Sequence, residues 1–449
     1  MRRCAVPAVG PRLVVAATHS GAGKTTVATG LMAALGRRGV RVAAAKVGPD
    51  FIDPGYHALA TGRPGRNLDP WMCGEASVGP LAGRAAAGAD VLVVEGVMGL
   101  FDGAFDGGGS TARVAQLLDA PVLLVVDASA MSGSVAALVH GFASWDPALR
   151  IGAVVLNRVG SPSHEAMLRA ALEPLGVPVL GALPRRGDLR WRDRHLGLVP
   201  VVEDEAAVRR SLDLLAAAVE GACDLDGLLA VARSAPPLAV GAPPEARRSG
   251  RARVAVLGGR AFSFAYPDNL ELLAQAGAEL LPVDPEADLR LPEHATALVA
   301  GGGFPEVFAT TLAANRSLLA DVATRVSSGL LTWAECGGML WLARSLDGRP
   351  MAGALPVDAR VTSRLTLGYR RVRLEVDTPL GRAGTELRGH EFHYSQTDPP
   401  GDALSWEGRD GTGRGGHASP RLVASYLHLH LAADPAVAER FVAAATPIS

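Results

Sequence analysis

Two α/β domains in one chain are what this sequence predicts, the first of them doubly wound. Three observations carry that expectation. A length of 449 residues exceeds what one ordinary core encloses, so two domains of roughly 200 residues each are expected. Short, wholly apolar runs alternate with helical stretches through the first half, the pattern of a parallel sheet covered on both faces. A stretch at 234–250, SAPPLAVGAPPEARRSG, is rich in Pro, Ala and Gly and has no amphipathic period, so it reads as a linker. The expected division is 11–233, a linker at 234–250, and 251–449.

In chain order, strands are expected at 13–17, 40–45, 91–94, 122–126 and 153–156, with helices such as 25–37 and 134–143 between them. After the linker a strand at 254–257 opens the second unit. A helix at 267–276 follows, then strands near 280–283, 297–300 and 330–333. Beyond about residue 351 the chain carries alternating, strand-like stretches such as 370–376.

Composition narrows the function. Net charge is −1, which advertises neither nucleic acid nor a membrane surface as partner. The four cysteines, Cys4, Cys73, Cys223 and Cys336, form no C-x-x-C pair, which fits a reducing cytoplasm better than a disulfide framework. The Met1-Arg2-Arg3 start is not read as an export signal, because the apolar run after it leads straight into a functional loop. Only two of the 44 Lys and Arg residues are lysine. A compact ammonium suits places where the wide arginine fork does not fit.

The first lysine lies in Thr18-His19-Ser20-Gly21-Ala22-Gly23-Lys24-Thr25-Thr26, between a strand and a helix, as a phosphate-binding loop requires. Gly21 and Gly23 let backbone N–H groups approach phosphates, Lys24 reaches the terminal ones, and Thr26 is a further phosphate contact. Thr25 offers its hydroxyl to Mg²⁺, and Asp50, Asp53 and Glu95 are the expected carboxylates, all at carboxyl ends of strands. Asp53-Pro54-Gly55 also reads as a plain turn, and Glu95 as a helix cap. Lys46, the second lysine, stands beside Asp50 and Asp53 as a phosphate or substrate contact. Asn157 is placed to read an adenine edge or to form a turn. Thr18 stands where the standard loop has glycine.

The second half holds Leu330-Leu331-Thr332-Trp333-Ala334-Glu335-Cys336-Gly337-Gly338-Met339-Leu340, an apolar strand, a sharp turn and an apolar helix. This is the arrangement of a nucleophile elbow with a thiol in place of a hydroxyl. A helix start favours the thiolate. Gly302 and Gly303, after the strand at 297–300, and Gly337 are candidates for an oxyanion and substrate pocket. A thiol nucleophile needs an imidazole base, and His390, His393, His428 and His430 are candidates.

Taken in order, these motifs, with Lys-Val-Gly-Pro-Asp-Phe-Ile-Asp-Pro-Gly-Tyr-His, Val-Glu-Gly-Val-Met-Gly-Leu-Phe-Asp-Gly and Gly-His-Glu-Phe-His-Tyr-Ser, resemble the cobyrinate and hydrogenobyrinate a,c-diamide synthases of the cobalamin pathway. The resemblance covers nearly the whole chain. It implies a dethiobiotin synthetase-like phosphate-loop domain fused to a class I glutamine amidotransferase domain. It further implies ATP, glutamine and a corrin ring acid as substrates, with Mg²⁺. Cys336 would release ammonia from glutamine, and ATP would activate the a and c acetate carboxylates as acyl phosphates. By the same match His428 is the base. The wider amidotransferase class has glutamate two residues later, where this chain has His430, so a Cys–His dyad is expected, with any third member coming from elsewhere. The motifs leave open whether the ring carries cobalt. His390 is a candidate substrate or phosphate contact. A homodimer is allowed for. Two other readings stand beside this one: amidation of other corrin carboxylates by a cobyric acid synthase, or a phosphate-loop ATPase with an inactive amidotransferase-like domain.

Overall fold

The computed structural model describes residues 8–103, 108–187, 193–194, 197–408 and 411–447. It divides into two compact units, Met1–Pro243 and Pro244–Ser449.

The first unit is built on seven parallel strands. Their spatial order is Arg66–Leu68, Val42–Val47, Val91–Glu95, Arg12–Ala17, Val122–Asp127, Ile151–Val159, Val179–Pro184. Arg12–Ala17, the first of these seven in chain order, is therefore central; on one side Val91–Glu95 lies next to it with the second and third strands outside, and on the other side the last three follow in chain order. Alternate residues serve opposite faces. Leu123 and Val125 join one core with Val27, Leu31 and Leu35 of the helix Lys24–Arg37. Leu124 and Val126 join the other with Val135 and Val139 of Ser134–Ser144. Burial on both sides is why these strands read as unbroken apolar runs.

Two boundaries differ from the sequence reading in ways that matter. The second strand runs to Val47 rather than stopping at 45, so Lys46 lies inside the sheet, in register with Glu95. The segment 234–250 is not wholly irregular: Leu238–Ala239 pairs with Ala8–Val9. An 18-residue helix, Glu205–Ala222, which the sequence reading did not single out, packs its Leu212, Ala216 and Val219 into the first core.

In the second unit, Ala278–Val283, Ala252–Leu257, Ala297–Ala300, Leu331–Glu335 and Leu422–Ser425 are parallel neighbours in that order, with His417–Ser419 antiparallel at the edge. A second sheet is dominated by two long antiparallel strands, Asp358–Leu374 and Glu386–Asp398. The short strand His428–Leu429 adds to its edge beside Gly389 and His390. The expected strand at 370–376 is the end of the first long strand, which stops at Leu374.

Candidate active sites

The phosphate loop lies where the sequence places it, at the carboxyl end of the central strand Arg12–Ala17 and capped by Gly23 before the helix Lys24–Arg37. Gly21 has φ 80 and Gly23 φ 99, a region that side chains rarely enter. At Gly23 a Cβ would also lie 2.1 Å from Asn157 Nδ2. Asn157 therefore sets the loop's path: Nδ2 donates to Ala22 O at 2.9 Å, and its carbonyl accepts from Arg158 N at 2.9 Å. One amide N–H and one lone pair of its carbonyl are thus used in bracing the loop. Thr26, half-buried, follows in the helix's first turn.

Around Thr25 the side chains converge. Thr25 Oγ1 donates to Glu95 Oε1 at 2.6 Å and lies 3.4 Å from Asp53 Oδ2. Lys46 Nζ reaches the same two oxygens, Asp53 Oδ2 at 2.5 Å and Glu95 Oε1 at 2.8 Å, and also donates to Gly96 O at 3.1 Å. Register causes this, since Lys46 and Glu95 are paired residues of adjacent strands. Asp53 opens the helix Asp53–Thr61, which holds it over the strand ends. Asp50 does not share these contacts. Its Oδ1 accepts from the backbone N–H groups of Ile52 at 2.7 Å and Asp53 at 3.1 Å, fixing the turn before that helix.

The charges are interdependent. Burial works against a charge on Lys46, but Asp53 and Glu95 outweigh it and hold the ammonium protonated well beyond the usual lysine range. Burial likewise opposes ionised Glu95, and Lys46 and His57 overcome it, keeping this carboxylate below its usual range. Asp53 is pushed up, first by burial and then by Asp50, with Lys46 pulling the other way. Glu95 is thus the firmer anion of the two. Lys24 donates to Met98 O. Its pKa falls to about 8, through burial and then repulsion by Lys46, partly offset by Glu95, Asp53 and Asp102.

Sequence reasoning missed His57. Its ring is fully buried, and Nε2 lies 2.6 Å from Glu95 Oε2, on the oxygen that Lys46 and Thr25 leave free. A histidine one turn into the helix after Asp53 is the signal that was available. Among the described residues no three His, Cys, Asp or Glu side chains are grouped to hold a metal ion by themselves. The donors that do converge are two carboxylates and one hydroxyl at a phosphate loop. This set fits Mg²⁺, which binds through one or two carboxylates and completes its shell with phosphate oxygens and water.

In the second unit, Leu331–Glu335 ends directly at Cys336, which has φ 44 and caps the helix Gly337–Leu342. A positive φ on a residue with a Cβ is strained, as expected where a turn must present a nucleophile. Cys336 N donates to Ser425 O at 2.7 Å, pinning the elbow to the next strand. The helix has six residues, so its dipole is a small influence on the thiol.

The partner that matters more is His428, which is almost fully buried and hydrogen-bonded to Cys336. Burial opposes its charge, but Cys336 and the nearby Glu335 carboxylate outweigh it and raise its pKa to about 10. Gly302 lies under the imidazole, where a Cβ would sit 2.5 Å from His428 Cε1. Gly337 abuts Gly303, with its Cβ position 3.0 Å from Gly303 N. The three glycines expected to line a pocket therefore surround the elbow.

The other histidines separate. His390 is the strand partner of His428, and its pKa drops to about 3 through burial, then the charges of His428 and Arg370. It lies beside the thiol site. His393 stacks on Tyr426 at 3.6 Å, and burial foremost lowers its pKa to about 4. His430 packs on Tyr266 at 4.7 Å, with Nδ1 taking Ala432 N at 3.4 Å. The residue the sequence reading passed over is Glu335. Its Oε1 accepts from Leu429 N at 3.0 Å, and its Oε2 lies 3.5 Å from His428 Nδ1. A carboxylate ending a buried apolar strand must have a partner, and that was the available signal.

Comparison with known proteins agrees with both units. Residues 13–199 match the CobQ/CobB/MinD/ParA nucleotide binding domain, and 253–436 match the CobB/CobQ-like glutamine amidotransferase domain. Hydrogenobyrinate a,c-diamide synthase of Streptomyces coelicolor is 51% identical, covering 96% of this chain and 97% of that one. The enzyme of the same name from Thermobifida fusca is 48% identical, covering 97% of each. The chain belongs to the a,c-diamide synthase family. Cobyrinate a,c-diamide synthase of Syntrophotalea carbinolica, 43% identical over 96% of this chain and 98% of its own, is another member. Membership makes the chain a glutamine-dependent carbon–nitrogen ligase of corrin biosynthesis, with a nucleotide-binding unit and an amidotransferase unit. Among the described residues no helix is long and apolar enough to cross a membrane.

Proposed function

We propose that the chain amidates the a and c acetate carboxylates of hydrogenobyrinate, using ATP and glutamine. The observation that carries this reading is a complete thiol site and a complete phosphate loop in one chain that matches a,c-diamide synthases along almost its full length. Five relatives named for hydrogenobyrinate are 48–51% identical to it, and three named for cobyrinate are 39–43% identical. That difference favours the ring without cobalt.

At the elbow, the proton of Cys336 passes to His428 and the thiolate attacks the side-chain amide carbon of glutamine. A C–S bond forms, and N–H groups around Gly302, Gly303 and Gly337 face the developing oxyanion. His428 returns the proton to the leaving nitrogen, the C–N bond breaks, and ammonia departs. Water, deprotonated by His428, then cleaves the thioester to glutamate and free thiol.

In the nucleotide unit a ring carboxylate oxygen attacks the γ-phosphorus of ATP and ADP leaves. Ammonia then attacks the acyl carbon and inorganic phosphate leaves with the C–O bond electrons. Lys24 and the loop N–H groups hold the phosphates, and Lys46 balances Asp53 and Glu95. Thr25, Asp53 and Glu95 would hold Mg²⁺, which when bound withdraws charge from the phosphoryl oxygens. His57 keeps Glu95 aimed at that point. A carboxylate is a poor electrophile, so spending ATP on a leaving group is what the chemistry demands.

The test offers either ring acid with ATP and glutamine, and weighs the products. A doubly amidated hydrogenobyrinate is expected, while four amidations would favour the cobyric acid synthase alternative. Cys336→Ala should abolish glutamine-dependent turnover while ammonia-dependent amidation continues. Full glutamine-dependent turnover in that variant would show the thiol assignment to be wrong.

A further inference from the structure

The thiol site contains a carboxylate that no motif assigns. Glu335 ends the strand Leu331–Glu335 and immediately precedes the nucleophile. It is 8% exposed, and both its oxygens are directed at the segment that carries the base: Oε1 to Leu429 N at 3.0 Å, Oε2 to His428 Nδ1 at 3.5 Å. The position two residues after the base, where the amidotransferase class keeps glutamate, cannot substitute. His430 is turned to Tyr266 and to Ala432 N. Asn269 holds the same segment from the far side, its Nδ2 donating to Leu429 O at 2.7 Å and its Oδ1 accepting from Leu431 N at 2.7 Å. His428 is therefore clamped along its backbone, and the freedom left to it is the rotation and tautomer of its ring.

We propose that Glu335 is the positioning residue of the thiol site, holding His428 with its Nδ1 proton toward the carboxylate and Nε2 toward Cys336. The proposal rests on the glutaminase role given to Cys336 above. An anion beside Nδ1 favours the imidazolium that forms when the thiol yields its proton, and so enlarges the thiolate population. The other charged and titratable groups around His428 do not duplicate this. His390 and His393, from Glu386–Asp398, are held neutral by burial. Glu391 of that strand is bound to Arg370 of Asp358–Leu374 at 3.0 Å. Cys336 is the group being activated. The fold thus supplies a third member from the residue before the nucleophile instead of the second residue after the base.

Glu335→Gln tests the charge, because the amide oxygen can still accept from Leu429 N. Glutamine hydrolysis is measured for kcat and KM, and alkylation of Cys336 by iodoacetamide is followed against pH by mass of its peptide. The expected result is a fall in kcat of about 10- to 100-fold with KM for glutamine nearly unchanged. The alkylation midpoint should move to higher pH, and Glu335→Asp should recover part of both. Wild-type kcat, or a loss carried by KM with the alkylation midpoint unmoved, would overturn the proposal. Should the Gln variant fail to fold, ¹⁵N NMR of the wild-type chain decides. A His428 ring that stays an imidazolium at pH 7 and keeps its proton on Nδ1 once neutral at higher pH supports the assignment, and a neutral ring carrying its proton on Nε2 alone refutes it. Cys336→Ala separates this test from its premise: glutamine hydrolysis surviving there sinks the thiol reading, whereas a normal Glu335→Gln enzyme sinks the positioning role alone.

Discussion

The two sites solve opposite problems with similar architecture. Each lies where a parallel strand turns sharply into a helix, after Ala17 in one unit and after Glu335 in the other. At the phosphate loop the charges are matched before any substrate arrives: Lys46 lies among Asp53, Glu95 and Gly96 O, and Glu95 is shared with His57 and Thr25. At the elbow the charge comes from within the site: burial opposes an imidazolium at His428, but Cys336 and Glu335 outweigh it and favour the charged ring. A site that receives a highly charged substrate needs a fixed, preorganised field. A site that makes its own nucleophile needs a base whose charged and neutral forms are both accessible. The comparison teaches that the same strand-end geometry serves either purpose, and that the neighbours of the strand decide which.

The largest effect expected in the nucleotide unit is that of Lys24→Arg. The charge is kept and its shape changed, and ATP-dependent amidation should fall by about 100- to 1,000-fold even with ammonia as donor. Normal ammonia-dependent turnover would show that shape is not the requirement and that the field at this site is less specific than argued. Lys46→Met comes next. It leaves two buried carboxylates without their shared cation, which should cost about 3–5 kcal/mol of stability in urea unfolding. A cost below about 1 kcal/mol would mean that protonation relieves the pair, with Asp53 the carboxylate to take the proton. The smallest effect concerns pH and the thiol-bearing unit. His390 and His393 titrate near 3 and 4 when folded, against 6.5 as the ordinary value. The unfolded chain therefore binds protons first as pH falls, so stability is full above about 6.5 and declines until pH passes about 3. Urea midpoints at pH 7 and 5 should differ less in a His390→Asn variant. An unchanged difference would assign the slope to other groups.

Much of this was legible in the sequence. The phosphate loop, the elbow and the alternation of apolar runs are local patterns, and each arises from a strand meeting a helix within a few residues. The doubly wound sheet follows from them, because strands buried on both faces must be apolar at every position, as Leu123 to Val126 are. What was hidden depends on register and long-range contact. Lys46 meets Glu95 because two strands are paired in one register, and a strand boundary misplaced by two residues conceals it. Glu335 meets Leu429 across 94 residues of chain, through a second sheet whose long strands read only as loose alternation. His57 was in a quoted motif, but its ring contact with Glu95 depends on the helix lying over the strand ends. Asn157 was seen for its amide, but the contact of that amide with Ala22 O across 135 residues is a tertiary one that no local pattern shows.

The scarcity of lysine has a practical corollary. Apart from the chain's own amino terminus, every primary amine in this protein lies at the phosphate loop or among the carboxylates beside it. The two side chains also differ in nucleophilicity, since Lys24 is lowered to about 8 while Lys46 is held protonated by its carboxylates. An amine-selective acylating reagent at mildly alkaline pH is thereby converted from a general surface label into an occupancy gauge. The chain offers one reactive side-chain amine, which a nucleotide held by Lys24 as proposed would cover.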